Sequence, residues 1–337
     1  MGGCSVAKDY RQIEWDDMLA DDCRQLLRLA IREDLDRGQD WTSVSLIDGR
    51  SEGAAIIVAR GAGTAAGLAA ARLLLDEYDR RLEWTAWAND GQAIEAGQRL
   101  ARVSGPARSL LTAERPLLNL IGHLSGIATL TARYVAGVVG TRAKIYDTRK
   151  TMPGWRRLEK YAVRCGGGFN HRLGLYDGIL IKDNHLAFGA TNAEGEQFSP
   201  AIAVQRARKF LSTRSTEPSS DELLIEIEVE SLEQLGEVLP ESPDIVLLDN
   251  MTPERLAAAV ALRDQLNPAV ELEASGGINL VTVGAVAKSG VERISVGALT
   301  HSADWFDVGL DWEFAPIARP QDTSHLVPRP SELDDSK

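Results

Sequence analysis

Seven basic residues crowd the stretch DTRKTMPGWRRLEKYAVRCGGGFNHR, Asp147 to Arg172: Arg149, Lys150, Arg156, Arg157, Lys160, Arg164 and Arg172, against only Asp147 and Glu159. The whole chain has 37 basic and 49 acidic residues, a formal net charge of −12, so this local excess of cations calls for a negative partner. His171 and Arg172 follow three glycines within it. Lys182 closes the apolar run GILIK, and a buried lysine is costly unless it meets a carboxylate or a ligand phosphate. Carboxylates come from LLIEIEVE, whose alternation puts Leu223, Ile225, Ile227 and Val229 on one face and Glu226, Glu228 and Glu230 on the other. Asp249 closes DIVLLD. Two hard oxygen donors such as Glu228 and Asp249, completed by water and ligand oxygens, suit Mg2+, and magnesium at such a site goes with phosphates. Ser275, Gly276 and Gly277 in EASGGI, with Gly297 in ISVG, let backbone N–H groups approach an anion closely. The chemistry indicated is the handling of a small phosphorylated polyanion.

Each feature has a plainer alternative. Three glutamates on one strand face suit an exposed sheet, a single histidine is commonly a hydrogen-bonded structural residue, and SGG alone can be a tight turn. Arg156, Arg157, Lys160 and Arg164 fall at helical spacing after Pro153-Gly154, and an exposed basic helix face is the expectation for at least two of them.

The elements that must position these residues are short apolar strands, each ending in a polar residue or glycine: AKIYD, GILIK, LLIEIEVE, DIVLLD, VELEAS and RISVG. Their ends, near Arg149, Lys182, Glu228, Asp249, Ser275 and Gly297, lie 21 to 46 residues apart, the length of β/α repeats. That spacing predicts an open α/β barrel of fewer than eight parallel strands. Barrel ligands bind at the carboxyl ends of the strands, where every candidate above falls, and glycines after the last strands are a recurrent phosphate site. The polar stretches TNAEGEQFSP and STRSTEPSS, within 191–200 and 212–220, read as surface loops, and the tail from Pro320 as loosely ordered.

Ahead of the barrel, Ala20 to Arg37 reads as an amphipathic helix capped by Asp21 or Asp22 and stopped at Gly38. Gly61, Gly63 and Gly67 are spaced G-x-G-x-x-x-G, one residue too long for the dinucleotide fingerprint, so they read as turn and packing residues. SLLTAERPLLNLIGHLSGIATLTARYVAGVV reads as a long helix with Thr112 as cap and Pro116 in its first turn. The expected organisation is an N-terminal α/β sandwich-like domain over 1–127 and a barrel over 128–304, with 305–337 packing back on the first domain.

Composition narrows the classes further. The 337 residues are 44% hydrophobic with a pI near 5, which argues against general nucleic-acid or anionic-membrane binding. Cys4, Cys23 and Cys165 are odd in number and far apart, so no disulfide framework or zinc site is expected. The N-terminus lacks a signal-peptide core and no apolar run is long enough to span a bilayer, so a cytoplasmic protein is the expectation.

Taken together, TAERPLLNLIGHLSGIATLT, the block from Asp147 to His185, IEIEVE, VLLDNM, LEASGGI and ISVGALTHS resemble the nicotinate-nucleotide pyrophosphorylase family, also called quinolinate phosphoribosyltransferase, in order and at the family's spacing from about residue 20 to 310. The resemblance implies a reaction of quinolinate with 5-phosphoribosyl 1-pyrophosphate to give nicotinate mononucleotide, pyrophosphate and CO2, with Mg2+, in NAD biosynthesis. It implies that Arg149, His171, Arg172 and Lys182, with Arg115 from the helix of a partner subunit, surround quinolinate and the adjoining phosphates. Lys150 would lean toward the pyrophosphate, Glu228 and Asp249 would hold the ribose hydroxyls and Mg2+, and Ser275, Gly276, Gly277 and Gly297 the 5-phosphate. Catalysis would rest on Lys150, Lys182, Glu228 and Asp249, in a homodimer with shared sites. Pro116 and His123 depart from or vary within the family pattern and are expected not to touch the motif residues. The rival readings are a paralogous barrel associated with molybdenum transport and a non-catalytic phosphate-binding protein.

Overall fold

A computed structural model of the chain describes residues 9–189, 198–213 and 223–313. Cys4, most of the two polar loops and the tail from Pro320 lie outside them. The first helix, α1, runs Asp17–Leu35 and is capped by Asp16, whose carboxylate accepts the Leu19 N–H at 2.7 Å. It therefore starts earlier than its sequence suggests, because several aspartates compete for the cap and Asp16 is the one that leaves Leu19, Ala20, Cys23 and Leu27 on the buried stripe. After the short α2 (Trp41–Leu46) come β1 (Glu52–Ala59), β2 (Gly63–Thr64), α3 (Leu68–Tyr78), β3 (Glu83–Ala86), β4 (Ala93–Ile94) and β5 (Arg99–Pro106). Gly67 caps α3 at φ +91° with Leu124 pressed against it, and a Cβ on Gly63 would lie 2.5 Å from Thr129 Oγ1, so these glycines are packing residues of an antiparallel unit.

Helix α4 (Ala107–Ala136) links the two parts of the molecule in one continuous run. It begins immediately after Pro106, so neither Thr112 nor Pro116 stands at its start. Thr112 Oγ1 instead donates to the Arg108 carbonyl at 2.8 Å, and Pro116 sits inside the helix. Proline removes one backbone donor there, and burial of Leu117, Leu120, Ile121 and Leu124 around it holds the helix together.

The six expected barrel strands all form: β6 (Lys144–Tyr146), β7 (Ile179–Ile181), β8 (Ile225–Val229), β9 (Ile245–Asp249), β10 (Glu271–Ser275) and β11 (Arg293–Ser295). They make one parallel sheet in the order β6-β11-β10-β9-β8-β7. Its edges β6 and β7 do not pair with each other, so the barrel is open. Helix α5 (Arg156–Cys165) follows β6; α6 (Asp183–Phe188) and α7 (Pro200–Thr213) follow β7; α8 (Leu232–Val238), α9 (Pro253–Leu266), α10 (Val283–Lys288) and α11 (Ala298–His301) follow the remaining strands in turn. Strand β12 (Val308–Trp312) then leaves the barrel and pairs antiparallel with β1, completing a sheet ordered β12-β1-β5-β3. No described helix is long and apolar enough to cross a membrane.

Candidate active site

Alternation along the barrel strands decides what the interior contains. On β8, Ile225, Ile227 and Val229 are buried against the surrounding helices, while Glu226 and Glu228 point inward; Glu230 lies past the strand end and is exposed. In the same way Glu273 and Arg293 enter the interior from β10 and β11 and pair there at 2.9 Å. The strand ends are level, with Ser275 opposite Asp249 in the parallel register.

At these carboxyl ends opens a cavity of about 910 Å³. Its lining brings together Arg149, Lys150, His171, Arg172 and Lys182 with Glu228, Asp249, Ser275, Gly276, Gly277 and Gly297. Gly276 and Gly277 have φ of +94° and +61°, the left-handed region that favours glycine. Arg115 is different: it lies exposed on α4 and is absent from the lining of its own chain's cavity. The cavity also contains Thr148, Asn250, Glu273, Ser295 and His301, which the sequence reading did not single out. His301 had a signal, standing four residues after Gly297 and so one helical turn away. Asn250 adjoins Asp249 and donates to its Oδ2 at 2.8 Å.

The cations divide by role. Burial, then the neighbouring guanidiniums of Arg172 and Arg156, depress the pKa of Arg149, and its Nε has no hydrogen-bond partner among the described residues. Like charges crowded this way favour an anion among them. Lys182 pairs with Glu228 across the cavity wall. None of the four α5 cations forms an exposed basic face. Lys160 is completely buried in a pair with Asp147, Arg157 reaches Asp22 of α1 at 2.9 Å, Arg156 donates to Thr151 at 3.0 Å and Arg164 to the Gly168 carbonyl at 2.6 Å. Docking of α5 beneath the cation-bearing loops turns these side chains inward as braces. His123 likewise reaches the Asp147–His185 block, because its Nε2 lies 2.9 Å from Glu159 of α5, whose other oxygen accepts the Met152 N–H at 3.2 Å.

Under the cavity floor His171 Nε2 lies 3.1 Å from Glu226 and 3.5 Å from Glu273. Burial opposes charge on this imidazole, but Glu226 and then Glu273 outweigh it and raise its pKa. Its Nδ1 nevertheless accepts the Arg172 N–H at 2.8 Å, so this geometry is that of the neutral Nε2–H tautomer, and a second proton would break that bond. Burial pushes Glu226 up, but His171, the Tyr10 hydroxyl and Arg293 together hold it below the usual range, whereas burial and Glu226 together push Glu273 above it. His171, Glu226 and Glu273 are close enough to hold a metal ion, but imidazole and the adjoining Arg293 suit an internal ion network better than Mg2+. Glu228 and Asp249 offer the better magnesium donors: two carboxylates on neighbouring strands, both facing the cavity.

A cavity that sets cations beside carboxylates and glycine turns at barrel strand ends is the arrangement expected for phosphoribosyl chemistry, and comparison with known proteins agrees. Residues 40–125 match the quinolinate phosphoribosyl transferase N-terminal domain, and residues 127–311 its C-terminal domain. The nicotinate-nucleotide pyrophosphorylase [carboxylating] of Mycobacterium leprae is 44% identical over 295 residues, covering 86% of this chain and 97% of that protein. A probable nicotinate-nucleotide pyrophosphorylase of Bacillus subtilis is 40% identical over 289 residues, covering 86% and 92%. The solved structure of the nicotinate-nucleotide pyrophosphorylase from Francisella tularensis superposes with a TM-score of 0.79 at 35% identity, covering 90% of this chain and all of that one. With both domain types matched in order and the basic cavity at the barrel mouth, the chain belongs to the quinolinate phosphoribosyltransferase family.

Proposed function

We propose that this cavity transfers the 5-phosphoribosyl group from 5-phosphoribosyl 1-pyrophosphate to quinolinate, giving nicotinate mononucleotide, pyrophosphate and CO2 for NAD synthesis. The observation that carries this reading is the juxtaposition, in one cavity, of Arg149, Lys150, Arg172 and Lys182 with Glu228, Asp249 and the glycine turns. A dicarboxylate and a triply phosphorylated cosubstrate need those cations, and planar guanidinium groups suit the two carboxylates because they can grip each one through two bonds.

In the chemistry, the pyridine nitrogen attacks the anomeric carbon as its bond to pyrophosphate breaks. Positive ribose character develops beside Glu228 and Asp249, and Lys150 stabilises the departing pyrophosphate. Mg2+, held by Glu228 and Asp249, would supply further charge neutralisation to the phosphates. Lys182 would exchange Glu228 for a substrate oxygen. The carbon–carbon bond to the 2-carboxylate then breaks, CO2 leaves, and the electron pair remaining on the ring carbon is stabilised by the adjacent quaternised nitrogen until a proton replaces it. Ser275, Gly276, Gly277 and Gly297 anchor the 5-phosphate. Because His171 has both ring nitrogens engaged, it shapes the quinolinate pocket with its ring edge and by holding the Arg172 backbone.

Arg115 belongs, in this proposal, to the site of a partner subunit in a homodimer, which is supported by its exposed place on α4 away from its own cavity. A cytoplasmic setting is supported by the free thiols of Cys23 and Cys165. The test is direct. Protein, quinolinate, 5-phosphoribosyl 1-pyrophosphate and Mg2+ should yield equal amounts of CO2 and nicotinate mononucleotide, and omission of Mg2+ should suppress both. Absence of product from the complete mixture refutes the proposal.

A further inference from the structure

We propose that Tyr10 is a positioning residue of this active site: from the N-terminal segment it fixes Glu226, and through Glu226 the His171 ring and the Arg172 backbone at the cavity floor. The proposal rests on the assignment of His171 to the quinolinate pocket.

Tyr10 is only 4% exposed and lies 216 residues from Glu226 along the chain, yet its hydroxyl donates to the Glu226 carboxylate. Glu226 in turn faces His171 Nε2, and His171 Nδ1 accepts the Arg172 N–H. These three contacts form a continuous path from the underside of the barrel to the cavity lining. The Tyr10 ring also lies against the imidazole, with centroids 4.7 Å apart and planes inclined by 30°. Room for the ring comes from Gly178, just ahead of β7: at φ +122° it carries no Cβ, and one built there would sit 2.8 Å from Tyr10 Cε1.

Neighbouring residues clamp the same loop. Gln12 Nε2 donates to the Asn170 carbonyl at 3.0 Å, its Oε1 accepts the Asn170 N–H at 2.8 Å, and Ile13 N–H donates to Asn170 Oδ1 at 2.8 Å. Asp9 accepts from Arg293 and from the Tyr146 hydroxyl, both at 2.9 Å. The segment therefore holds the residue preceding His171 on one side and the acid that orients its ring on the other. If its role were only to fill the barrel, an apolar plug would serve, whereas a buried hydroxyl aimed at a carboxylate is an orienting device.

Tyr10→Phe keeps the ring and deletes the hydroxyl. Full-length protein is assayed as a cycle of Tyr10→Phe, His171→Ala and the double variant, with KM for each substrate, kcat and thermal melting. Loss of one hydrogen bond to a charged group predicts roughly a tenfold rise in quinolinate KM or a comparable fall in kcat, with cosubstrate KM unchanged. In the His171→Ala background the same deletion should change neither parameter. A Tyr10→Phe variant that lowers only the melting temperature, or that changes kinetics by the same factor in both backgrounds, overturns the proposal. If His171→Ala leaves quinolinate KM unaltered, the assignment of His171 fails and the proposal falls with it; if His171→Ala is damaging while Tyr10→Phe is kinetically silent, Tyr10 alone is refuted. Should Tyr10→Phe not fold, Glu226→Gln interrupts the same path and is read in the same cycle by the same criteria.

Discussion

Lys160→Met separates the support of the site from the site itself. Lys160 and Asp147 are both completely buried and paired, and neither lines the cavity. Lys160 also donates to the His171 carbonyl at 2.9 Å, while Asp147 accepts the His171 N–H at 2.9 Å and Asn170 Nδ2 at 2.7 Å. Removing one member of a buried ion pair costs about 3–5 kcal/mol. Two donors remain on Asp147, so the lower end applies, about 3 kcal/mol. At about 2 °C per kcal/mol for a chain of this size, the melting temperature should fall by about 6 °C. The deficit should also depend on pH. Burial pushes Asp147 up and Lys160 down, each opposed by the attraction of the other. Without Lys160, Asp147 rises further above its unfolded value. A carboxyl raised in the folded state contributes stability that is complete below its unfolded pKa and lost as pH climbs through its folded pKa. The deficit should therefore be larger at about pH 8 than at about pH 5.5, and Lys160→Met/Asp147→Asn should recover part of it at the higher pH. Melting curves across that range provide the measurement. A deficit independent of pH, or a double variant no more stable at about pH 8 than the single one, would refute the ion-pair reasoning.

Two further outcomes follow from the cavity. A Cβ on Gly276 would stand 2.1 Å from Asn250 Oδ1 and 2.9 Å from the Asn250 backbone nitrogen, whereas one on Gly277 would meet nothing within 4 Å; Gly276→Ala should raise the KM for 5-phosphoribosyl 1-pyrophosphate on the order of tenfold and Gly277→Ala much less, the difference between steric conflict and backbone strain alone. Equal effects of the two would argue against a tight turn around the phosphate. For Arg115, exchange of subunits between Arg115→Ala and Lys182→Ala proteins should restore roughly a quarter of wild-type activity, since about half the dimers are mixed and each mixed dimer has one intact site; no recovery after verified exchange would return Arg115 to its own subunit.

The barrel and its cavity were legible because parallel strands covered on both faces read as short apolar runs, and each run ends on a residue at the carboxyl end of the strand, where barrel ligands bind. Lys182, Glu228, Asp249 and Ser275 could be found this way without knowing how the strands pack. The exposed basic face expected for at least two of the four α5 cations does not form, for a physical reason: on a helix a cation looks exposed until the partner that neutralises it is known, and Asp147, the partner of Lys160, belongs to a different element. The path from Tyr10 to Glu226 was invisible to pattern reading because no periodicity connects residues so far apart in the chain. The start of α4 was hidden by Pro116, a residue equally at home in a first turn or, where packing compensates, within a helix.

The return of β12 to β1 has a consequence for how the chain is made. Until β12 is synthesised, β1 is an open edge of a three-stranded sheet, with about 200 residues, α4 and the barrel, to be translated between β5 and β12. At roughly 5–20 residues per second, that edge waits on the order of 10–40 s, presenting unpaired backbone groups to any extended segment nearby. Nascent chains stalled before Val308 should therefore be the species most prone to pair wrongly with one another, and release of the last strand is the step that covers β1 and leaves the shorter β12 as the edge in its place.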